Sequence, residues 1–386
     1  MTPSFDAVVV GAGVVGSATA AFLAADGLTV LLVESDDVAS AASGRNSGVV
    51  QHPFDPVLAE LYRETIQLLR ELEAAEPGRF HLPAQPVGLL YLGEDAAAAR
   101  QLTEAFARSQ PGLAPTFLAG RDLQAAEPSL APDLAACRLA IGYPVAPARA
   151  TRAWAGLARD RGALVAIRET AQIDRTEGRV HGVRIDGRRV AAGAVVVAAG
   201  PWTPGVVDPT GRWRPIRPLW GAVVEIRLSS PPVHVLEELE IDATIEPERI
   251  EAPSAASAVP VAFSLVTADG RSVVGSTFTI DEPNDAALVP SLLARAGRFL
   301  PNASAAEVLG SRRCARPLSF DGRPLVGRVP GVDNLFVAAG HGPWGISTGA
   351  ASARMVADLV LGRIETPPDA LDPARFVPAP EIRGGS

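Results

Sequence analysis

Three closely spaced glycines constrain this chain more than anything else in it: Gly11-Ala12-Gly13-Val14-Val15-Gly16, after the apolar run 7–10 and before a helical stretch of small residues. A second apolar run, 28–33, ends in Glu34. Strand, tight turn, helix and strand in that order make a βαβ unit. Gly11 permits the sharp turn, Gly13 lets backbone N–H groups approach a pyrophosphate, and Gly16 lets the helix pack closely on the sheet. The helix N-terminus adds partial positive charge for the phosphates. Glu34 stands eighteen residues after Gly16. A carboxylate there accepts hydrogen bonds from ribose hydroxyls and repels a 2′-phosphate, so the dinucleotide is FAD or NAD rather than NADP. The glycine pattern alone is weak; its place between two strands, with the acid following, carries the reading.

Composition removes several other classes of function. A chain of 386 residues exceeds one typical domain and can bury a large core. Its net charge of −8, with no basic run interleaved with aromatics, argues against a nucleic-acid partner. All 35 basic residues are arginine. Without lysine there is no Schiff-base lysine and no P-loop lysine, so pyridoxal-phosphate chemistry and standard ATPase readings drop out. Cys137 and Cys314 make no disulfide framework and read as reduced thiols of a cytoplasmic protein. The first strand begins so soon after Met1 that no cleaved signal peptide is expected, and the N-terminal apolar stretch is broken by glycines and Asp26, unlike a membrane span.

Residues 35–48, including Ser35, Ser43, Arg45, Asn46, Ser47 and Gly48, are small and polar, the composition of a loop that can lie against a ligand. Apolar periodicity predicts helices over 56–74, 95–108, 120–126, 151–161, 287–299 and 349–361. Strands are predicted over 87–92, 163–167, 222–228, 259–266, 272–278, 324–327 and 335–340, and a hairpin over 171–191. Residues 194–200 form a β-branched run closed by Gly200, the look of a central parallel strand whose end meets a ligand. Residues 341–348 read as a loop, and the proline-rich 366–386 as a tail that wraps the surface or is disordered. The predicted fold is mixed α/β: a discontinuous dinucleotide-binding domain (1–85, 145–214 and 310–364), an antiparallel-sheet substrate domain (86–144 and 215–309), and a tail (365–386).

Beyond the N-terminal fingerprint, the chain carries Ala198-Ala199-Gly200-Pro201-Trp202, Arg316-Pro317 with Asp321-Gly322-Arg323-Pro324, and Gly340-His341-Gly342-Pro343-Trp344-Gly345, in that order. In these motifs it resembles the D-amino-acid oxidase, glycine oxidase and sarcosine oxidase (DAO) family of FAD-dependent oxidoreductases. The resemblance spans nearly the whole chain except the middle of the insertion and the tail. It implies a Rossmann-like FAD-binding domain of glutathione-reductase-2-like type with the substrate domain inserted. FAD would lie along Gly11, Ala12, Gly13, Val14, Val15 and Gly16, with Glu34 and Ser35 at the adenosine ribose and Ala171 at the adenine. Ala199, Gly200 and Trp202 would border the cofactor, and Ser43, Arg45, Asn46, Ser47 and Gly48 would follow the pyrophosphate–ribityl chain. Gly340, His341, Gly342, Pro343, Trp344, Gly345, Ile346 and Ser347 would bring N–H donors and a helix N-terminus to the pyrimidine end of the ring, where negative charge develops.

The resemblance also implies that Arg316 clamps a substrate carboxylate, a task suited to a planar five-donor guanidinium; a structural ion pair or a flavin contact is the alternative. His341 and His52 are candidates for proton transfer against the simpler role of packing, and Trp344 for a pocket wall. Cys314 occupies the place where sarcosine-oxidase-like members attach flavin covalently, yet the following Arg-Pro belongs to the non-covalent pattern, which is favoured. The oxygen-activating lysine of the sarcosine oxidases has no counterpart, so O2 and an electron carrier both stand as acceptors. The expected activity is oxidation of the C–N bond of a small amino or N-alkyl amino acid by hydride transfer to flavin. A 2-hydroxy-acid oxidoreductase and a flavoprotein subunit of a hetero-oligomeric dehydrogenase are the alternatives. The strand 261–265 is expected to face the flavin; a homo-oligomer is compatible with the sequence.

Overall fold

A computed structural model describes residues 4–239 and 261–376, which build two eight-stranded sheets and a two-stranded ribbon. Ser4–Val10, Val14–Ala25 and Val30–Glu34 are the expected strand, helix and strand, and the two strands pair in parallel with Val10 beside Val33. The first sheet runs in the order Leu325–Arg328, Leu335–Ala339, Arg188–Val197, Ser4–Val10, Val30–Glu34 and Leu164–Ile167. Its inner strands are parallel, and the hairpin Ala171–Thr176/Arg179–Ile185 hangs from Arg188–Val197. Val195, Val196 and Val197 are fully buried, as expected for a strand covered on both faces.

The helix Val14–Ala25 is buried on nearly every side because it lies between the sheet and the helices Pro147–Asp160 and Gly345–Val360. Its alanines and glycine allow that close approach, and Phe22 meets Trp154 edge-on at 5.2 Å. Gly16 is obligatory here: a Cβ on it would stand 1.9 Å from the Gly11 carbonyl oxygen. Gly11 takes φ +103, a left-handed conformation that glycine alone adopts cheaply.

The second sheet has the order Glu307–Ser319, Ile216–Arg227, Arg271–Thr277, Val261–Ala268, Val235–Glu238, Leu89–Gly93, Ala135–Leu139 and Thr116–Ala119. One face packs on the helix Asp285–Phe299, with Phe263 stacked on Phe299 at 4.5 Å. From the opposite face Cys314, Gly221, Ser264 and Glu237 line a cavity shared with the first sheet.

Several boundaries differ from the expectations above. Glu307–Ser319 runs as one strand beside Ile216–Arg227, so residues 310–319 join the second sheet, and only the chain beyond them returns to the first. Its charged residues hide the strand pattern, because Arg312 and Arg313 are paired with Glu225 and Asp285. The helix expected from 349 starts at Gly345, after a single 3-10 turn Gly342–Trp344, so much of the expected loop is helical. The loop 35–48 contains a short helix, Ala42–Arg45. The described part of the tail packs on the first sheet: Leu371 is buried and its carbonyl accepts the Val326 N–H at 2.9 Å. Residues 259 and 260 of an expected strand, and 377–386 of the tail, lie outside the described residues. No described helix is long and apolar enough to cross a membrane.

Candidate functional site

A cavity of about 680 Å³ opens where the carboxyl ends of the first sheet meet the second. Glu34, Ser35 and Ala171 line one end, Gly11, Gly13, Val14 and Val15 follow, and Ser43, Arg45, Asn46 and Ser47 form a wall. Ala199, Gly200 and Trp202 border it, and His341 through Ser347 close another side. Residues spread over three hundred positions thus converge on one space at the strand ends, where open α/β sheets take ligands.

Local bonds set this wall before any ligand arrives. Glu34 Oε2 accepts the Ala12 N–H at 2.7 Å, while Oε1 accepts from Asp36 N–H at 3.0 Å. The carboxylate is thereby aimed from the end of its strand. Ala12 itself is buried behind the turn and acts through that N–H. Ser43 Oγ accepts the Val14 N–H at 3.0 Å, tying the wall to the first turn of the helix. Asn46 Nδ2 donates to the Ala42 and Ser43 carbonyls, and its Oδ1 accepts the Gly48 N–H. Gly16, Gly48 and Gly340 shape the backbone without lining the space. The helices starting at Val14 and Gly345 take no side-chain cap from their own N-cap residues, and although Ser43 accepts the Val14 N–H, both helix N-termini line the cavity.

Arg316 reaches into the cavity from the second sheet. It donates to Ser276 Oγ at 2.8 Å and to the Thr277 carbonyl at 3.2 Å, with its Cζ 4.6 Å from the centre of the Phe278 ring. The guanidinium lies over Gly221, where a Cβ would stand 2.3 Å from both terminal nitrogens. It has no carboxylate partner among the described residues. Burial lowers its pKa, but an arginine keeps its charge at any physiological pH. A half-buried cation that lines a cavity and has no anion beside it favours an anionic ligand there.

Cys314, two residues earlier, is buried in the same wall. Burial pushes its thiol above the ordinary value, and the nearby Arg316, Arg312 and Arg45 offset that only in part. His341 is buried, its Nε2 bonded to Ser352 Oγ at 2.9 Å, and burial brings its pKa to about 4. It lines the cavity as a neutral ring already committed to the helix beneath it. Trp344 lines the wall as expected. His52 is not brought to the cavity: it packs edge-on to Tyr62 at 5.0 Å, and burial lowers its pKa.

Sequence reasoning missed Gln51, Gly221, Glu237, Ser276 and Phe278, all of which line the cavity. Gln51 N–H donates to Ser347 Oγ at 2.9 Å, and its side-chain amide donates to Glu237 Oε2 at 3.3 Å. Of the strand expected to face the flavin, Ser264 lines the cavity while Phe263 points into the core.

A family model described as FAD dependent oxidoreductase matches residues 6–359. The chain belongs to that family. A glycine oxidase of Pseudomonas aeruginosa is 28% identical over 96% of this chain and 98% of its own length. The crystal structure of glycine oxidase from Geobacillus kaustophilus matches with a TM-score of 0.81 at 26% identity, covering 98% of this chain and all of that one. The structure of an iminodiacetate oxidase from Chelativorans sp. BNC1 shares the fold at 23% identity and a TM-score of 0.80, covering 95% and 98% of the two chains.

The residues present fit FAD. A Cβ on Gly13 would crowd Ser43 Oγ at 3.0 Å, so glycine keeps this approach open for phosphate. The Glu34 carboxylate lines one end of the cavity, where it would meet a ribose, and the helix starting at Gly345 lines another side without a cap from its N-cap residue. A flavoenzyme of this family therefore has its cofactor wall and its unpaired arginine in one space.

Proposed function

We propose that this flavoenzyme oxidises the C–N bond of a small amino acid or N-alkyl amino acid whose carboxylate is held by Arg316. The observation carrying this reading is the half-buried Arg316 guanidinium, shelved on Ser276 and Thr277 and facing a cavity that fits FAD. Bound FAD supplies the acceptor for a hydride equivalent. Everything else falls to the side chains. Arg316 fixes the substrate by a bidentate pair, which orients the Cα–H and removes rotational freedom before reaction. Phe278 and Trp344 give the pocket apolar walls that exclude water.

His341 serves no proton transfer in this reading. Its ring is neutral at physiological pH, and one nitrogen is bonded to Ser352. The substrate amine would enter deprotonated and give up the Cα hydride, leaving an iminium that water hydrolyses to a keto acid and ammonia or an amine. The helix starting at Gly345 would turn its N-terminus toward the bound flavin and would favour negative charge there. FAD is held without a covalent bond, since a buried, protonated Cys314 thiol is a poor nucleophile.

Anaerobic mixing with amino acids, N-methyl amino acids and 2-hydroxy acids tests this. Amines should bleach the flavin's blue absorbance band; bleaching by hydroxy acids alone would overturn the reading. Arg316→Met should raise KM for carboxylate substrates roughly a hundredfold, the scale of losing a charged hydrogen-bonded pair.

A further inference from the structure

Arg312, Cys314 and Arg316 alternate along one strand and leave it on the same side. Arg316 is assigned to substrate and Cys314 lines the cavity, but Arg312 points at neither. Its Nε donates to the Arg45 carbonyl at 3.1 Å and one terminal nitrogen to the Asn46 carbonyl at 3.0 Å. The other terminal nitrogen meets Glu225 Oε2 at 2.7 Å. The side chain is only 21% exposed, so these bonds are poorly replaced by water. Arg45 and Asn46 end the short helix Ala42–Arg45, where backbone carbonyls run out of intrahelical partners. The fork of one guanidinium fits two such carbonyls at once.

The segment so held is the wall of the FAD cavity. Its near end is tied to the Rossmann helix through Ser43 and Val14; its far end is tied to the substrate sheet through Arg312 alone among the described side chains. Glu225 fixes the direction of the guanidinium and is itself held by Arg271 at 2.6 Å. We propose that Arg312 is a positioning residue for the cofactor: it fastens the FAD wall to the strand that carries Arg316, so cofactor and substrate carboxylate are held in one register. This rests on the reading of the cavity as the FAD and amino-acid site.

The test compares wild-type holoenzyme with Arg312→Met, Arg312→Lys and Arg271→Met. FAD release is followed by the rise of flavin fluorescence on dilution, and FAD affinity by titration of protein stripped of flavin. Arg312→Met should weaken FAD roughly ten- to a hundredfold, the range for losing two charged donors to carbonyls. The melting temperature of the stripped protein should change little. Arg312→Lys should fall between, because an ammonium cannot fork across both carbonyls. Arg271→Met, which shares Glu225 but does not reach the wall, should bind FAD like wild type. Should Arg312→Met not fold, Arg312→Lys and Glu225→Gln carry the same comparison. Unchanged FAD affinity in the Arg312 variants overturns the proposal while leaving the functional reading intact, and so does a loss that merely follows the stripped protein's stability. Equal weakening in Arg271→Met overturns it as well. A wild-type chain that takes up no FAD overturns both.

Discussion

Replacing Gly221 by alanine probes Arg316 without touching it. A methyl at that position would stand 2.3 Å from each terminal nitrogen of Arg316 and 2.5 Å from its Cζ. Ordinary contact needs about 3.4 Å, so the guanidinium must retreat by about 1 Å. The obstacle is the end of a flexible side chain, and Gly221 has no positive φ, so the strand should fold as before. What is lost is the shelf, because the bonds of 2.8 and 3.2 Å to Ser276 and Thr277 cannot both survive such a shift. A displacement of this size at an orienting group costs roughly a hundredfold, or about 2.7 kcal/mol in kcat/KM. The assay is steady-state kinetics on an amino acid and its carboxamide, with thermal melting alongside. The carboxylate substrate should lose most of its advantage over the amide, with melting nearly unchanged. An unaltered carboxylate preference would refute the placement of Arg316 at the substrate. Equal losses on both substrates with a large drop in melting temperature would refute the argument that only the side chain moves.

Three further outcomes follow from the site. The pKa of His341 is lowered in the fold to about 4 from 6.5, so its contribution is present above the unfolded value and is lost as pH falls through that window. Wild type should lose about 2 kcal/mol of unfolding free energy between pH 7 and pH 5 from this residue, and His341→Gln should flatten that slope in denaturant titrations. Acid precipitation of the holoenzyme should leave a colourless pellet and a yellow supernatant; a yellow pellet that turns colourless in Cys314→Ala would establish attachment at Cys314. Glu34→Ala removes the acceptor of the Ala12 N–H and, in the proposed reading, the ribose acceptor as well, and should weaken FAD about tenfold in titrations of the stripped protein.

The parts of this molecule legible in its sequence are those that local chain geometry dictates. Gly11, Gly13 and Gly16 announce their turn because backbone sterics act over a few residues, and Glu34 follows at the distance one helix and one strand require. The substrate face is different in kind. Gly221, Ser276, Ser264 and Glu237 sit on four strands, of which, among those that pair, only the two carrying Ser264 and Ser276 are close in sequence, and a single small or polar residue on a strand carries no periodic signal. Charge concealed two strands outright. Glu307–Ser319 reads as a polar stretch because its arginines are satisfied across the sheet and at the cofactor wall. Val235–Glu238 ends in two acids, one neutralised by Arg295 on the covering helix and the other meeting Gln51. His52 failed for the converse reason: closeness in sequence to the cofactor wall did not make it a neighbour of the cavity, because the chain turns there and buries the ring against Tyr62. In the proposed reading, a motif places the cofactor, while the residues that would recognise the substrate depend on the register of the second sheet. Shifting Ile216–Arg227 by one residue against Glu307–Ser319 would put a side chain where Gly221 leaves room for the guanidinium.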